Sequence, residues 1–105
     1  METNFTVFSA DCQALAKKLN TMVEKHEYPN YGWGSVVFMT DKFGGVYANF
    51  HFDFATGKVV NWFGQKDEAE MPDFKTLEKT VVLAKAKLEK SRDLGKIYKM
   101  INDEY

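Results

Sequence analysis

The sequence predicts an α+β fold, in which helices pack on one face of an antiparallel sheet. Three observations favour this class. Residues 46–54 alternate between apolar and polar side chains, as in a half-buried β-strand. The turn at residues 55–57 contains Gly57, which can adopt a left-handed conformation without a Cβ penalty, so the chain can return as a hairpin. Apolar residues recur at spacings of three and four on both sides of this hairpin, which is typical of amphipathic helices.

Length and composition indicate one folded unit. A chain of 105 residues with 45% hydrophobic content is long enough for one core and too short for two, so residues 1–105 are expected to form a single domain. The predicted order is an N-terminal helix, a three-stranded antiparallel β-meander, and a long C-terminal helix followed by a short one. Aromatic residues make up 15% of the chain, enough to fill a small core and leave aromatic surface for binding.

The first helix is predicted over residues 10–25. Ser9 is suited to cap its start, and Asp11 lies in the first turn, where the helix dipole favours negative charge. Its apolar stripe consists of Cys12, Leu15, Leu19, Met22 and His26. Pro29 ends the helix and opens a loop at 28–34 that is rich in aromatic residues and glycine.

Three strands are predicted at residues 35–40, 46–54 and 58–64. In the first strand either of two pairs can face the core, namely Val36 with Phe38 or Val37 with Met39. The second hairpin is expected to place Phe54 opposite Lys58. In that register the side chains on the core face are those of Phe50, Phe52, Val60 and Trp62. The side chains on the outer face are those of Tyr47, Asn49, His51, Asp53, Val59, Asn61 and Phe63. A shift of one residue would exchange the faces, so the pattern favours this register.

The second long helix is expected to begin at Pro72 and Asp73, because proline suits the first helical turn and aspartate suits the positive end of the helix dipole. Its core stripe consists of Phe74, Leu77, Val81, Ala84 and Leu88. Val82 and Leu83 point away from this stripe, so they are either covered by another element or exposed. The stripe loses phase after Leu88, which predicts a break at 91–95 and then a short terminal helix.

Several classes of function lack support in the sequence. A net charge of −1 offers no global attraction to nucleic acid or to anionic membranes. The single cysteine cannot form an internal disulfide, and the start of the chain has no signal-peptide pattern, which together predict a cytoplasmic protein. No zinc-ligand spacing and no phosphate-binding glycine motif is present, so no metal and no cofactor are expected.

Aromatic residues outside the predicted core are the best candidates for a binding site, because tyrosine and tryptophan are the residues that most often anchor protein interfaces. The candidate partner-binding residues are Tyr28, Tyr31, Trp33, Tyr47, His51 and Phe63. They predict a small non-enzymatic module that binds a larger protein as an inhibitor or adaptor, of the kind that viruses and mobile elements encode. Homodimerisation would cover the same residues, and a second helical layer would bury them instead.

Two other functions remain as alternatives. Residues 74–99 hold eight basic side chains against three acidic ones, and the lysines that face away from the core could bind single-stranded nucleic acid together with exposed aromatic rings. These lysines are Lys75, Lys79, Lys87 and Lys90. The acidic segment at 65–73 would repel phosphate, which counts against this alternative. A small enzyme built on His51 and Asp53 is the third hypothesis, and it depends on a geometry that periodicity does not supply.

Overall fold

The computed structural model describes residues 4–40, 45–62 and 67–103, and it describes side chains as far as Arg92. The elements in chain order are α1 (Asn4–Lys18), β1 (Met22–Tyr28), β2 (Trp33–Met39), β3 (Val46–Asp53), β4 (Val59–Asn61) and α2 (Phe74–Asp103). The strands form one antiparallel sheet in the order β1-β2-β3-β4. This confirms the α+β class and the antiparallel meander, with four strands in place of the predicted three.

The additional strand lies where the first helix was expected to continue. Helix α1 begins at Asn4 rather than at residue 10, and Ser9 is a buried residue of the helix whose Oγ donates a hydrogen bond to the Thr6 carbonyl oxygen. The helix ends at Lys18, and Asn20, two residues further along, has a φ of 54°. The next amide, of Thr21, donates to the Ala16 carbonyl oxygen over 2.9 Å, as in a Schellman motif. The prediction of a helix over 10–25 is therefore wrong beyond Lys18.

Strand β1 contains the part of the expected helix that follows this cap, including Met22 and His26. All seven of its residues pair with β2, from Met22 opposite Met39 to Tyr28 opposite Trp33. Backbone pairing to a distant segment thus overrides a helical spacing of apolar residues. The predicted loop at 28–34 shortens to a 3₁₀ turn, Pro29–Tyr31, and Gly32.

The register of the second hairpin differs by one residue from the predicted one. Phe52 lies opposite Val59, and Phe50 lies opposite Asn61. Asp53 explains the difference: its Oδ1 accepts hydrogen bonds from the backbone amides of the next turn, and its own amide donates to the Lys58 carbonyl oxygen over 3.0 Å. The turn therefore includes Phe54, and Val59 and Asn61 face the core while Val60 and Trp62 face outward. The left-handed Gly57 is confirmed, with a φ of 73°.

Both helices pack on the same face of the sheet. Phe8 of α1 is buried against Phe50 and Phe52 of β3, with ring centroids 5.6 and 5.7 Å apart. Leu77 and Val81 of α2 belong to the same buried cluster. In β2, Val36 and Phe38 are the residues that face this core. Cys12 is buried in the same cluster, and burial raises the pKa of its thiol.

Tyr47 was expected on the outer face, and this prediction is wrong. A bulge places Phe38 opposite Ala48 and Met39 opposite Val46, so Tyr47 is the additional residue between them. Its ring is buried beside Phe38, and its hydroxyl is hydrogen-bonded to the Thr21 hydroxyl at 2.8 Å.

Helix α2 begins at Phe74, directly after the predicted start at Pro72 and Asp73, because Asp73 Oδ1 accepts a hydrogen bond from the Thr76 amide and caps the helix. It then continues without a break through residues 91–95, so no separate short helix follows. Phe74 is partly exposed rather than buried in the core. Val82 and Leu83 are exposed, which settles the alternative that the sequence left open.

Candidate functional site: an aromatic strip across the open sheet face

The sheet face opposite the helices carries a row of aromatic rings. No described helix packs on this face, because α1 and α2 both lie against the side that contains Phe50 and Phe52. We call the row the aromatic strip. Its members, one from each strand or its end, are Tyr28, Trp33, His51 and Trp62.

Strand pairing brings these four rings together. Tyr28 and Trp33 are direct cross-strand partners, and their ring centroids lie 4.5 Å apart. The rings of Trp33 and His51 are stacked, with centroids 4.5 Å apart and planes only 13° from parallel. The ring centroids of Trp62 and His51 lie 5.0 Å apart. The Trp62 backbone amide donates a hydrogen bond to the Asn49 carbonyl oxygen, which extends the pairing of β3 with β4 by one hydrogen bond. Rigid strands therefore position the strip.

A groove of about 280 Å³ lies along one end of the aromatic strip. Its lining includes three rings and three charged side chains: Trp33, His51, Trp62, Asp53, Lys58 and Glu68. Glu68 reaches the groove because the neighbouring Ala69 exchanges two backbone hydrogen bonds with Val59, which attaches this segment to the outer edge of β4. The groove is therefore formed by the sheet and by the segment that leads to α2.

The side chains that line the groove carry more negative than positive charge. Burial lowers the pKa of His51, so its imidazole is neutral at pH 7. Hydrogen bonds from the backbone amides of Thr56 and Ala55 lower the pKa of Asp53, which keeps its carboxylate ionised. Asp53 and Glu68 thus face one cation, Lys58.

The predicted site residues have different positions in the structure. Tyr28, Trp33 and His51 come together in the aromatic strip, whereas Tyr47 is buried on the opposite face. Tyr31 lies in the 3₁₀ turn and is 79% exposed, outside the strip. Phe63 lies outside the described residues.

Sequence reasoning missed Trp62 as a site residue. The predicted register placed its ring in the core, whereas the side chain is 59% exposed on the open face. The signal that could have found it is Asp53, because an aspartate before a short Thr-Gly turn often accepts hydrogen bonds from the turn amides. Including that bond would have moved the register by one residue.

The lysines of the nucleic-acid alternative lie on another surface. Lys75, Lys79, Lys87 and Lys90 are all exposed on the side of α2 that faces away from its buried stripe. The exposed Leu83 lies among them. Because α2 packs on the face opposite the aromatic strip, the lysines and the strip point in opposite directions.

His51 and Asp53, the two residues of the enzyme hypothesis, both line the groove. The Asp53 carboxylate accepts hydrogen bonds within its own turn, and His51 is packed between Trp33 and Trp62. Among the described residues, no group of three or more side chains is arranged to hold a metal ion. None of the described helices combines the length and the apolar character that a membrane span needs.

Comparisons with protein-family models, with curated proteins and with solved structures gave no match to this chain. The fold and the site alone define the class: an α+β protein with helices on one face of an antiparallel sheet and, on the other, an aromatic strip that no described helix covers.

We expect the pH dependence of stability to report on His51. Its folded-state pKa lies below the value of an unfolded histidine, so the unfolded chain binds the extra proton first as pH falls. The free energy of unfolding should therefore decrease from pH 7.5 to pH 5.5, above the range in which Asp53 and Asp73 titrate. His51→Gln should reduce that decrease, as measured by urea denaturation at both pH values.

The matched control is His26→Gln, which changes the other histidine of the chain, an exposed residue of the edge strand β1. It should not reduce the decrease, because the His26 imidazole is exposed and lies 3.4 Å from the Glu24 carboxylate. If His51→Gln and His26→Gln reduce the decrease equally, burial of His51 is not its cause.

Proposed function

We propose that this chain is a small non-catalytic binding module that docks on a larger protein through the aromatic strip and acts as an inhibitor or adaptor. The observation that carries the proposal is the strip itself: four stacked or tilted rings on a sheet face that no described helix covers, with Trp62 59% exposed. A cytoplasmic location stays a prediction.

The physical argument is that exposed aromatic rings on strands favour binding in two ways. Tryptophan and tyrosine supply large apolar contact area with few rotatable bonds, so little conformational entropy is lost on binding. The stacking of Trp33 on His51 and the contact of His51 with Trp62 already restrict these side chains before a partner arrives. A site that is already ordered loses less conformational entropy on binding, so more of the contact energy contributes to affinity.

Single-stranded nucleic acid is the second candidate, because aromatic rings on an open four-stranded sheet can stack on bases. Two observations disfavour it. The groove carries Asp53 and Glu68, which repel phosphate. The lysines of α2 lie on the far side of the molecule, so one strand could not use both surfaces without wrapping around the domain.

The test is capture of a partner from host lysate by tagged protein, with and without nuclease, compared across variants. Trp62→Ala should weaken capture at least about tenfold, as expected for an aromatic anchor near the centre of an interface. The matched control is Leu83→Ala, which removes a side chain that is 63% exposed on the opposite side of the molecule. It should leave capture unchanged.

Three outcomes would contradict the proposal. Capture that is lost with Leu83→Ala and kept with Trp62→Ala would place the interface on α2. Loss of all bound material after nuclease would favour the nucleic-acid candidate. A dimer in size-exclusion chromatography that Trp62→Ala converts to a monomer would identify the strip as a contact between two copies of the chain.

A further inference from the structure

We infer that the groove beside the aromatic strip binds an arginine side chain, so that the partner presents a basic segment. This inference rests on the proposed function, because it names the chemistry of the partner at the same site. It depends on the aromatic rings of the groove, on its charges and on the position of the chain's own arginine.

The ring of Trp62 is suited to a planar cation, because this side chain is 59% exposed, whereas the Trp33 ring is stacked on His51. Trp33 and Trp62, the only two tryptophans of the chain, both line the groove with His51 between them. Tryptophan is the aromatic side chain that attracts cations most strongly, and a guanidinium group can stack flat on its ring. His51 does not oppose a cation, because burial keeps its imidazole neutral at pH 7.

The charges favour the same ligand. Asp53 and Glu68 give the groove two carboxylates against one ammonium group, that of Lys58. A guanidinium group can donate hydrogen bonds to a carboxylate while it stacks on a ring, which an ammonium group does less well because it is compact and strongly hydrated. Arginine is therefore favoured over lysine, and acidic ligands are disfavoured.

A second copy of this chain is a poor source of that arginine. The chain has one arginine, Arg92, on α2. Its guanidinium group lies against Gly45, beside Thr40 at the β2–β3 connection. Docking of Arg92 into the groove of another copy would require this packing to be broken, so the occupant that fits is a different protein.

The two tryptophans make the groove directly observable, because every indole N–H signal of the chain comes from a residue that lines it. The probe is the peptide acetyl-Gly-Arg-Gly-amide, titrated while the indole N–H resonances are followed by NMR. The comparison peptides carry citrulline, which has nearly the same shape without the charge, or lysine. We expect saturable shifts with arginine, and binding at least about fivefold weaker with citrulline.

Two variants separate a cation site from general apolar binding. Glu68→Gln should weaken arginine-peptide binding roughly two- to fivefold, the effect of removing one exposed charge partner. Glu70→Gln is the matched control, because it removes an exposed carboxylate two positions further along the same segment and outside the groove lining. It should leave the binding unchanged.

The inference would be overturned by equal binding of the arginine and citrulline peptides, by equal effects of Glu68→Gln and Glu70→Gln, or by no saturable shift up to about 10 mM peptide. Indole shifts with oligothymidylate and none with the arginine peptide would overturn it in favour of nucleic acid. The results with the peptides and the glutamate variants leave the proposed function standing if Trp62→Ala still weakens partner capture, whereas unchanged capture by Trp62→Ala removes the proposed function itself.

Discussion

Replacement of Phe8 by alanine is expected to lower the free energy of unfolding by about 3–5 kcal/mol, the largest single effect that we anticipate. The side chain is 1% exposed, and its ring contacts Phe50 and Phe52 of β3 at the centre of the sheet. Truncation removes buried apolar area and two ring contacts and leaves a cavity that the surrounding backbone can close only in part. A domain of this size has a total stability of roughly 5–15 kcal/mol, so the variant should be close to unfolding.

The measurement is urea or guanidinium denaturation, with attention to whether the slope with denaturant stays the same as in the wild type. Val7→Ala is the matched control, because Val7 is the preceding residue of α1 and its side chain is 42% exposed. It should change stability by less than about 0.5 kcal/mol. A loss below about 1 kcal/mol for Phe8→Ala would contradict the packing of α1 on the sheet.

Replacement of Gly34 by alanine is expected to cost about 1–3 kcal/mol, because there is no space for its methyl group. A Cβ atom at this position would lie 2.8 Å from the Phe5 ring and 3.0 Å from the backbone oxygen of His26. Alanine would also reduce the freedom of the unfolded chain, which stabilises the fold by about 0.4–1 kcal/mol. The steric cost is larger, since one of the two contacts is with backbone that cannot rotate away.

The substitution Gly32→Ala, two residues earlier, tests the effect of backbone strain without a steric contact. Gly32 has a φ of 78° and open space around its Cα, so alanine there costs roughly 1–2 kcal/mol through the left-handed conformation alone. A double-mutant cycle with Phe5→Leu should show coupling for Gly34→Ala and none for Gly32→Ala, as measured by chemical denaturation. Absence of coupling at Gly34 would mean that Phe5 does not pack directly on β2.

These two substitutions test the side of the sheet that supports the aromatic strip. Phe5 and Phe8 pack on one face of β2 and β3, while Trp33 and His51 lie on the other face of the same strands. The apolar layer beneath keeps the strands in register, and the register in turn aligns the rings of the strip. The aromatic strip can therefore be ordered although no described helix covers it.

Some of the candidate site was accessible from the sequence. The aromatic residues Tyr28 and Trp33 flank a Pro-Asn-Tyr-Gly turn, and the alternation of β3 places His51 opposite the buried phenylalanines. Those features depend on residues that are close together in the chain. They led to three of the four members of the aromatic strip, without indicating that the three lie side by side.

Other features of the fold around the site depended on contacts between distant residues. The spacing of Met22 and His26 continues the apolar stripe of α1, and only the left-handed Asn20 and the pairing with β2 make this segment a strand. Tyr47 alternates as an outward residue, and only the bulge opposite Phe38 and Met39 turns it into the core.

The sequence by itself determined the α+β class, the left-handed turn at Gly57, the start of α2 directly after Asp73 and the apolar face of β3, because each depends on periodicity or on hydrogen bonds within a few residues. The tertiary structure decided the number of strands, the register of β4 and the exposure of Trp62. Side chains alternate with a period of two along a strand, so a shift of one residue at the Asp53 turn moves Trp62 from the core to the outer face. Residues 58–62 alternate equally well in either register, and the choice depends on the hydrogen bonds of Asp53 with its own turn and on the pairing of β3 with β4.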